Sequence, residues 1–182
     1  MTTGFWAGSE KHVIAAISIY TVGALILGAL GAIAVVYSGF FNVSAQVVDQ
    51  APLEWLLVTT REASITYHAK DIKAPAPTGA HQIENGYRFF KSECAMCHTM
   101  PGGLTTIMSE GLNPRAPALA NLVDMKDAEI FWAVKNGIRF TGMPGWESSR
   151  TDQELWDVVA FLRASLTMKT ADYEALDRRT SP

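Results

Sequence analysis

One short stretch constrains this chain more than any other: Cys94-Ala95-Met96-Cys97-His98. Two cysteines separated by two residues and followed at once by a histidine form the attachment motif of a covalent haem. Each thiol adds to a haem vinyl group, and the imidazole binds the iron. These are the only two cysteines in the sequence, so no further Cys pair completes a zinc site. The alternatives are a chance pair of cysteines in a loop and a thioredoxin-like redox pair, of which the second requires a βαβ setting that the sequence does not show. We therefore expect one covalently attached haem c with its iron.

The composition allows one ordinary domain with additions. The chain has 182 residues, is 48% hydrophobic and carries a formal net charge of -3. This charge balance argues against a nucleic-acid binder. Beyond residue 80 there are eleven Lys or Arg against thirteen Asp or Glu, so long-range attraction to a strongly acidic partner is not implied. The first forty residues hold only one lysine and one glutamate, which separates an apolar N-terminal part from the remainder.

That apolar part predicts a transmembrane anchor over residues 1–40. Residues 13–36 are 24 consecutive uncharged residues, which as a helix span about 36 Å. The alternative is a cleaved secretory signal ending near Ala45, but the apolar core of such a signal normally has only about 7 to 15 residues. We expect an uncleaved, single-pass anchor. A strip formed by Ala24, Gly28 and Ala32 would let another membrane helix approach closely, although small residues are common in membrane helices anyway.

Residues 41–80 predict a juxtamembrane amphipathic helix. Asp49 is placed to cap a helix over residues 52–70, whose early proline is tolerated in the first turn. One broad face of this helix is formed by Leu53, Leu56, Leu57, Thr60, Ser64 and His68. The helix has three alternative contacts, namely the bilayer surface, the haem domain and a partner subunit. Because its face lacks the Lys and Arg of a membrane-surface helix, we favour a partner subunit. We expect His68 to be a surface or interface residue and not an iron ligand.

Residues 71–80 predict a linker, because their alternating prolines favour an extended chain of about 3.1 Å per residue. The domain boundary is therefore placed near residue 80, with the haem domain at 81–168 and a tail at 169–182. Within the domain we expect helices over residues 82–93 and 127–136, a long loop over residues 99–122, and a last core helix. That last helix starts at the capping box Thr151–Glu154, and its predicted buried residues are Leu155, Val158, Val159 and Leu162. For the tail we expect only a short surface helix.

Several residues between positions 80 and 166 occur in an order and spacing that resemble the small class I cytochromes c. They are Gly86, Phe90, the haem motif, a proline-bearing loop, Met143 beside Pro144, and a closing helix with Val159-Ala160-Phe161-Leu162. The resemblance implies an all-α fold, with a cytochrome c-like haem domain preceded by the transmembrane helix and the amphipathic helix. It also implies that Cys94 and Cys97 hold the haem, that His98 is the proximal ligand and that Met143 is the distal ligand.

Met143 has a physical argument of its own. A thioether favours ferrous iron, and a Met/His pair raises the reduction potential. Met is usually core filling, however, and Met108 and Met125 remain alternatives. In the family a proline carbonyl orients the ligand histidine; Pro117 is the best match here, with Pro114 as the rival. Phe90 is expected to cover the haem. Trp146 and Arg139 flank the Met turn, where a role beside a haem propionate and plain packing or solvation are about equally expected.

The function implied is single-electron transfer between a quinol-oxidising complex or dehydrogenase and a terminal oxidase or soluble acceptor. We expect no small-molecule substrate at the haem and no enzyme activity of the chain alone. In proteins resembling bacterial cytochromes c, haem is attached on the periplasmic side, so the N-terminus is expected to be cytoplasmic and the anchor to lie in the inner membrane. The alternatives are a permanent haem c subunit of a larger oxidase or dehydrogenase complex and, less favoured, a haem enzyme or sensor.

Overall fold

The computed structural model describes residues 4–47, 50–76, 79–100 and 103–180, with side chains described from residue 11 onward. Every regular element in these ranges is helical, which confirms the predicted all-α class. The α-helices are α1 Gly4–Ser38, α2 Ala51–Ala69, α3 Ala80–Phe89, α4 Ile107–Gly111, α5 Asp127–Asn136, α6 Asp152–Ser165 and α7 Thr170–Thr180. A wider turn at Phe90–Cys94 continues α3, and a 3₁₀ turn at Leu119–Asp124 precedes α5. The chain divides into two compact units, Met1–Val47 and Val48–Pro182.

The first unit consists mainly of α1. Among the described residues, its segment Lys11–Ser38 is the one helix long and apolar enough to cross a membrane, with a mean hydropathy of 2.3. Its few hydroxyl groups bond to the helix itself: Ser18 and Thr21 donate to the carbonyls of Ile14 and Ile17 at 2.9 and 2.8 Å. Such bonds satisfy polar side chains where no water is present. The helix therefore fits a single-pass membrane anchor.

The second unit is built on the crossing of α3 and α6. Gly86 lies at the crossing, where a Cβ atom would stand 1.9 Å from the Asp157 carbonyl oxygen. Phe90 and Phe161 are fully buried beside it, with ring centroids 5.2 Å apart. The two backbones touch at this point because Gly86 has no side chain.

Helices α5 and α6 form in agreement with their sequence signals. Helix α5 spans Asp127–Asn136 as predicted and ends at Gly137, whose φ of 68° suits glycine. The Thr151 hydroxyl accepts a hydrogen bond from the Glu154 amide, and the Glu154 carboxylate accepts one from the Thr151 amide, so the predicted capping box is present. All four residues predicted to be buried on α6 lie in the core: Leu155, Val158, Val159 and Leu162.

Helix α2 differs from its prediction. It belongs to the same compact unit as the haem motif and packs against α5 through Ile65 and Ala69, which are buried. The His68 ring stacks on Trp132 at 5.4 Å, and Thr66 donates to Glu129 at 2.9 Å. Of the residues on the predicted face, His68 meets α5, whereas Leu56 and Leu57 are exposed. The helix begins after Gln50, whereas the expected cap Asp49 and residues 77–78 of the linker lie outside the described residues.

Two further segments are more ordered than their sequence suggests. The predicted loop 99–122 contains helix α4 and the start of the 3₁₀ turn. Helix α7, expected to be a surface helix, buries Tyr173 and Leu176 in the core. Its Asp177 accepts hydrogen bonds from Tyr87, at 2.7 Å, and from Lys91, both near the end of α3. The tail therefore packs against the haem domain.

Candidate functional site

The haem motif follows a widened end of helix α3. The Ala95 amide donates to the Phe90 carbonyl, five residues earlier, at 2.9 Å. Such i→i+5 turns interrupt an α-helix and often occur at functional sites. The amides of Cys97 and His98 then both donate to the Cys94 carbonyl, at 3.0 and 2.8 Å. Both thiols and the imidazole are thereby carried by a single turn of backbone.

The two cysteines are free and only partly exposed. Burial raises the pKa of Cys94 to about 12, and the nearby Glu93 and Cys97 raise it further in the same direction. Redox cysteines that exchange disulfides have thiolates stabilised by a low pKa. The pKa of Cys94 is raised and not lowered, which argues against the thioredoxin-like alternative.

The His98 ring is oriented by a backbone carbonyl. Its Nδ1 lies 3.3 Å from the carbonyl oxygen of Pro117, within hydrogen-bond distance. Burial lowers the pKa of His98, whereas the contact with Pro117 acts in the opposite direction. A neutral imidazole whose Nδ1–H donates to a carbonyl leaves Nε2 free as a metal ligand. Of the two prolines considered, Pro117 is the one that makes this contact.

Two interactions fix the segment around the haem motif, and neither is obvious from the sequence. The Thr106 hydroxyl caps α4 by accepting from the Ser109 amide at 3.0 Å, and it donates to the Met96 carbonyl inside the motif. The Arg163 guanidinium on α6 donates to the carbonyls of Leu122 and Met125. It also pairs with Asp127. Arg163 therefore holds the 3₁₀ turn that directly follows Pro117.

Met143 lies in a turn, residues 138–146, that is bonded to the end of α5; we call it the Met143 turn. The Ile138 amide donates to the Met143 carbonyl at 3.2 Å, and the Trp146 amide donates to the Lys135 carbonyl at 2.9 Å. The Thr141 hydroxyl accepts from the Met143 amide at 3.1 Å and donates to the Ile138 carbonyl at 2.7 Å. The sequence contains a signal for this contact, because a threonine hydroxyl often bonds to the backbone two residues later, as Thr141 does to Met143.

Glycines allow this turn to approach α5. A Cβ at Gly137 would lie 2.5 Å from the Gly145 amide nitrogen and 2.8 Å from the Met143 carbonyl oxygen. A Cβ at Gly145 would lie 2.6 Å from the Asn136 carbonyl oxygen. The two glycines therefore let the Met143 turn pack directly against the end of α5.

The remaining predicted site residues occupy different environments. Phe90 is fully buried against Phe161, while Trp146 is partly buried and its ring meets the edge of Phe89 at 5.2 Å. Arg139 is exposed. Of the alternative methionines, Met125 packs against the core, as Met143 does, whereas Met108 is largely exposed.

These residues suit a covalently held haem. Two thiols and an oriented imidazole lie in one turn, and a thioether is carried by a separate, well-fixed turn, which is the donor set of a Met/His-ligated haem. Apolar side chains in the same segments are exposed, among them Met96, Leu104, Ile107 and Phe140. Concentrated exposed apolar side chains mark surfaces that bind an apolar group.

Comparison with known proteins agrees with this chemistry. Residues 81–162 match the family model described as "Cytochrome C oxidase, cbb3-type, subunit III". The matched segment begins in α3 and ends in α6, so it includes the haem motif and Met143. No curated protein matches the chain. The helical fold, the haem motif and this match to less than half of the chain together support a c-type cytochrome, the class of protein that carries haem c and transfers electrons.

Proposed function

We propose that this chain is a membrane-anchored cytochrome that transfers single electrons through one haem, held by Cys94 and Cys97 and ligated by His98 and Met143. The observation that carries the proposal is the contact between His98 Nδ1 and the Pro117 carbonyl, because it fixes the ring in the tautomer and orientation of an iron ligand. When bound, the haem iron supplies the Fe(III)/Fe(II) couple.

The protein has two roles in this proposal. Pro117 raises the basicity of the His98 imidazole, and the backbone bonds of the Met143 turn keep the thioether from swinging away between the two oxidation states. With His98 and Met143 both bound to the haem iron, the site would leave no position for a substrate at the iron. We propose that Phe90, Trp146 and Pro117 complete the surroundings of the haem.

The proposed location is the periplasmic face of a bacterial inner membrane, with α1 as a single-pass anchor and the N-terminus in the cytoplasm. The proposed partners are a quinol-oxidising complex or dehydrogenase as donor and a terminal oxidase or soluble protein as acceptor. A tether keeps the haem at high effective concentration beside partners in the same membrane.

A second candidate is a permanent subunit of a larger membrane complex. It is favoured by the family-model match, whose description names a subunit of an oxidase. Purification in mild detergent separates the two: co-purifying membrane subunits at fixed stoichiometry support the complex, whereas a lone monomer that still accepts and donates electrons supports the carrier.

The ligand assignment is tested by visible spectroscopy of the ferric holoprotein. Met143→Ala should abolish the sulfur-to-iron charge-transfer band at the red edge of the spectrum and lower the reduction potential, because a thioether stabilises the ferrous form. Met125→Ala, which alters a methionine that also packs against the core, is the matched control and should retain the band. Loss of the band in Met125→Ala but not in Met143→Ala would reassign the distal ligand. Tight binding of added ligands to the resting protein would favour a haem enzyme or sensor.

A further inference from the structure

Helix α2 has an apolar side that the haem domain does not cover. Residues 56, 60, 63 and 67 recur at helical spacing and share one side of the helix, opposite Ile65 and Ala69, which pack against α5. We call Leu56, Thr60, Ala63 and Tyr67 the outer stripe. All four are exposed, with 52% of Leu56 and 63% of Tyr67 accessible. Trp55, exposed by 67%, lies outside this stripe, on the same side of the helix as Glu62 seven residues later.

The charges of α2 are distributed in the opposite way from those of an ordinary surface helix. A helix packed on one side normally turns its charged residues to water on the other side. Here Glu54, Arg61 and Glu62 lie towards the side that packs against α5, by helical spacing, and the outer stripe carries no charge. An exposed, uncharged side that includes Leu56 and Tyr67 is typical of a surface that contacts an apolar partner in the working protein.

The chain itself indicates what covers it. Only residues 39–50 separate the end of α1 from the start of α2, and twelve extended residues reach at most about 40 Å. If α1 spans the bilayer, as proposed above, the lipid surface is always within reach of the stripe. Tyr67 is an amphipathic aromatic residue of the kind that favours the membrane–water interface. Lys70, whose ammonium lies 4.4 Å from the Tyr67 ring centroid, can extend towards headgroup phosphates.

We propose that the outer stripe of α2 rests on the phospholipid bilayer. This inference depends on α1 being a membrane anchor. Because α2 is fixed to α5 through the Thr66–Glu129 bond and the His68–Trp132 stack, and α5 carries the Met143 turn, contact with lipid would set the orientation of the haem site towards the membrane. The stripe itself lacks basic residues, so its affinity for the bilayer does not come from general electrostatic attraction. Apolar and aromatic contact provides it, together with the tether to α1.

Photo-cross-linking of the full-length holoprotein tests this proposal. A diazirine amino acid is introduced at position 56 in the stripe or, as the matched control, at position 62, where Glu62 is also exposed but lies on the other side of the helix. After illumination in native membranes and in phospholipid nanodiscs that contain no other protein, peptides are analysed by mass spectrometry. We expect several-fold more phospholipid adducts at position 56 than at position 62 in both samples.

Equal lipid labelling at the two positions would overturn the proposal. So would protein adducts in place of lipid adducts at position 56 in native membranes, which would assign the stripe to a partner subunit. The same preparations report on the proposed function separately: release of the chain by alkaline carbonate would refute the anchor, and the visible spectrum reports on the haem. An anchored, haem-loaded protein without lipid adducts at position 56 would therefore refute this inference alone.

Discussion

At the scale of single residues, the closest packing in the domain depends on an absent side chain. Gly86 brings the backbone of α3 against the Asp157 carbonyl and the Phe161 Cβ of α6. The Asn85 amide on α3 hydrogen-bonds the Asp157 carboxylate, which Gln153 on the same helix α6 also contacts, so a polar contact further restrains the crossing. Neither helix can move aside without disturbing Phe90 and Phe161, because a close-packed core transmits the strain.

Gly86→Ala should therefore lower the free energy of unfolding by about 1 to 3 kcal/mol, the usual cost of overpacking a well-packed core. The measurement is urea denaturation of the holoprotein in mild detergent. Gly111→Ala is the control, because a Cβ there meets nothing within 4 Å. The control should change stability by less than about 1 kcal/mol, in the stabilising direction expected of alanine in a helix. Equal effects of the two substitutions would contradict the role of the crossing.

At the scale of elements, the Met143 turn and helix α5 act as one piece. The turn bonds to the last residues of α5, and Gly137 allows the contact by adopting a φ of 68°. The position of Met143 is thus determined by where α5 ends. Gly137, which ends α5, therefore also determines where Met143 lies.

Gly137→Ala should displace the turn, because the new Cβ would lie 2.5 Å from the Gly145 nitrogen. We expect the sulfur-to-iron band to weaken or disappear while covalent haem attachment is retained, as judged by the visible spectrum and mass. Gly79→Ala is the matched control: Gly79 also has a positive φ, of 94°, but a Cβ there meets nothing within 4 Å. It should cost about 1 kcal/mol of backbone strain and leave the band intact. A normal band in Gly137→Ala would show that the turn does not depend on this contact.

Arg163 connects α6 to the segment after Pro117 through its bonds to Leu122, Met125 and Asp127, which we call the Arg163 clamp. Arg163→Met should lower the free energy of unfolding by about 2 kcal/mol, since two carbonyls and a carboxylate lose a charged donor that is only partly exposed. It should also raise the reduction potential, because a looser Pro117 carbonyl lowers the basicity of the His98 ligand. Arg163→Lys should recover little, because an ammonium does not reproduce the guanidinium fork.

Redox titration and urea denaturation measure both effects of the Arg163 substitutions. Arg178→Met is the control, because Arg178 is 72% exposed and pairs only at 3.9 Å with Glu174. Exposed pairs of this kind contribute little to stability. An unchanged potential in a destabilised Arg163→Met protein would limit Arg163 to a structural role.

The sequence predicted those elements whose signals are local. The bounds of α5 and the capping box of α6 follow from residues that are close together in the sequence. It did not predict which side of α2 would be buried or that α7 would join the core. Both depend on a partner surface far away in the chain, and helical spacing identifies a repeating face without identifying the surface that covers it.

The candidate site shows the same difference between local signals, which the sequence reveals, and contacts between distant residues, which it does not. The haem motif and a methionine in a glycine- and proline-rich turn were readable from residue type and spacing. The bond from Thr106 to the Met96 carbonyl and the clamp by Arg163 were not, because threonine and arginine are ordinary at exposed positions and only the fold brings them to those carbonyls.

At the scale of the whole molecule, two carboxylates join helices to each other and a third caps a helix. Glu129 joins α5 to α2, Glu154 caps α6, and Asp177 joins α7 to α3. The pKa of each is lowered, chiefly by a hydrogen bond: from the Lys126 amide to Glu129, from the Thr151 amide to Glu154 and from the Lys91 ammonium to Asp177. All three are therefore favoured in the ionised form by folding.

Stability should consequently fall in acid. Because the pKa of each group is lower in the folded chain, the contribution is complete above the ordinary values of about 4 and is lost as pH falls through the folded values. Urea midpoints measured at pH 6 and pH 3 should show this loss. Asp177→Asn should be less stable than the natural chain at pH 6 and should lose less between the two pH values. An identical loss would exclude Asp177 from the acid response.

The crossing at Gly86 also bears on the order in which the chain folds and acquires its haem. It joins α3 to α6, which begins more than fifty residues after His98, so the chain passes through a stage in which the motif exists and its closing helix does not. Contacts between distant parts of a chain form late because loop closure must come first. During that interval Cys94, which is only partly exposed in the folded chain, is more accessible. We therefore expect haem to be attached before α6 closes over it.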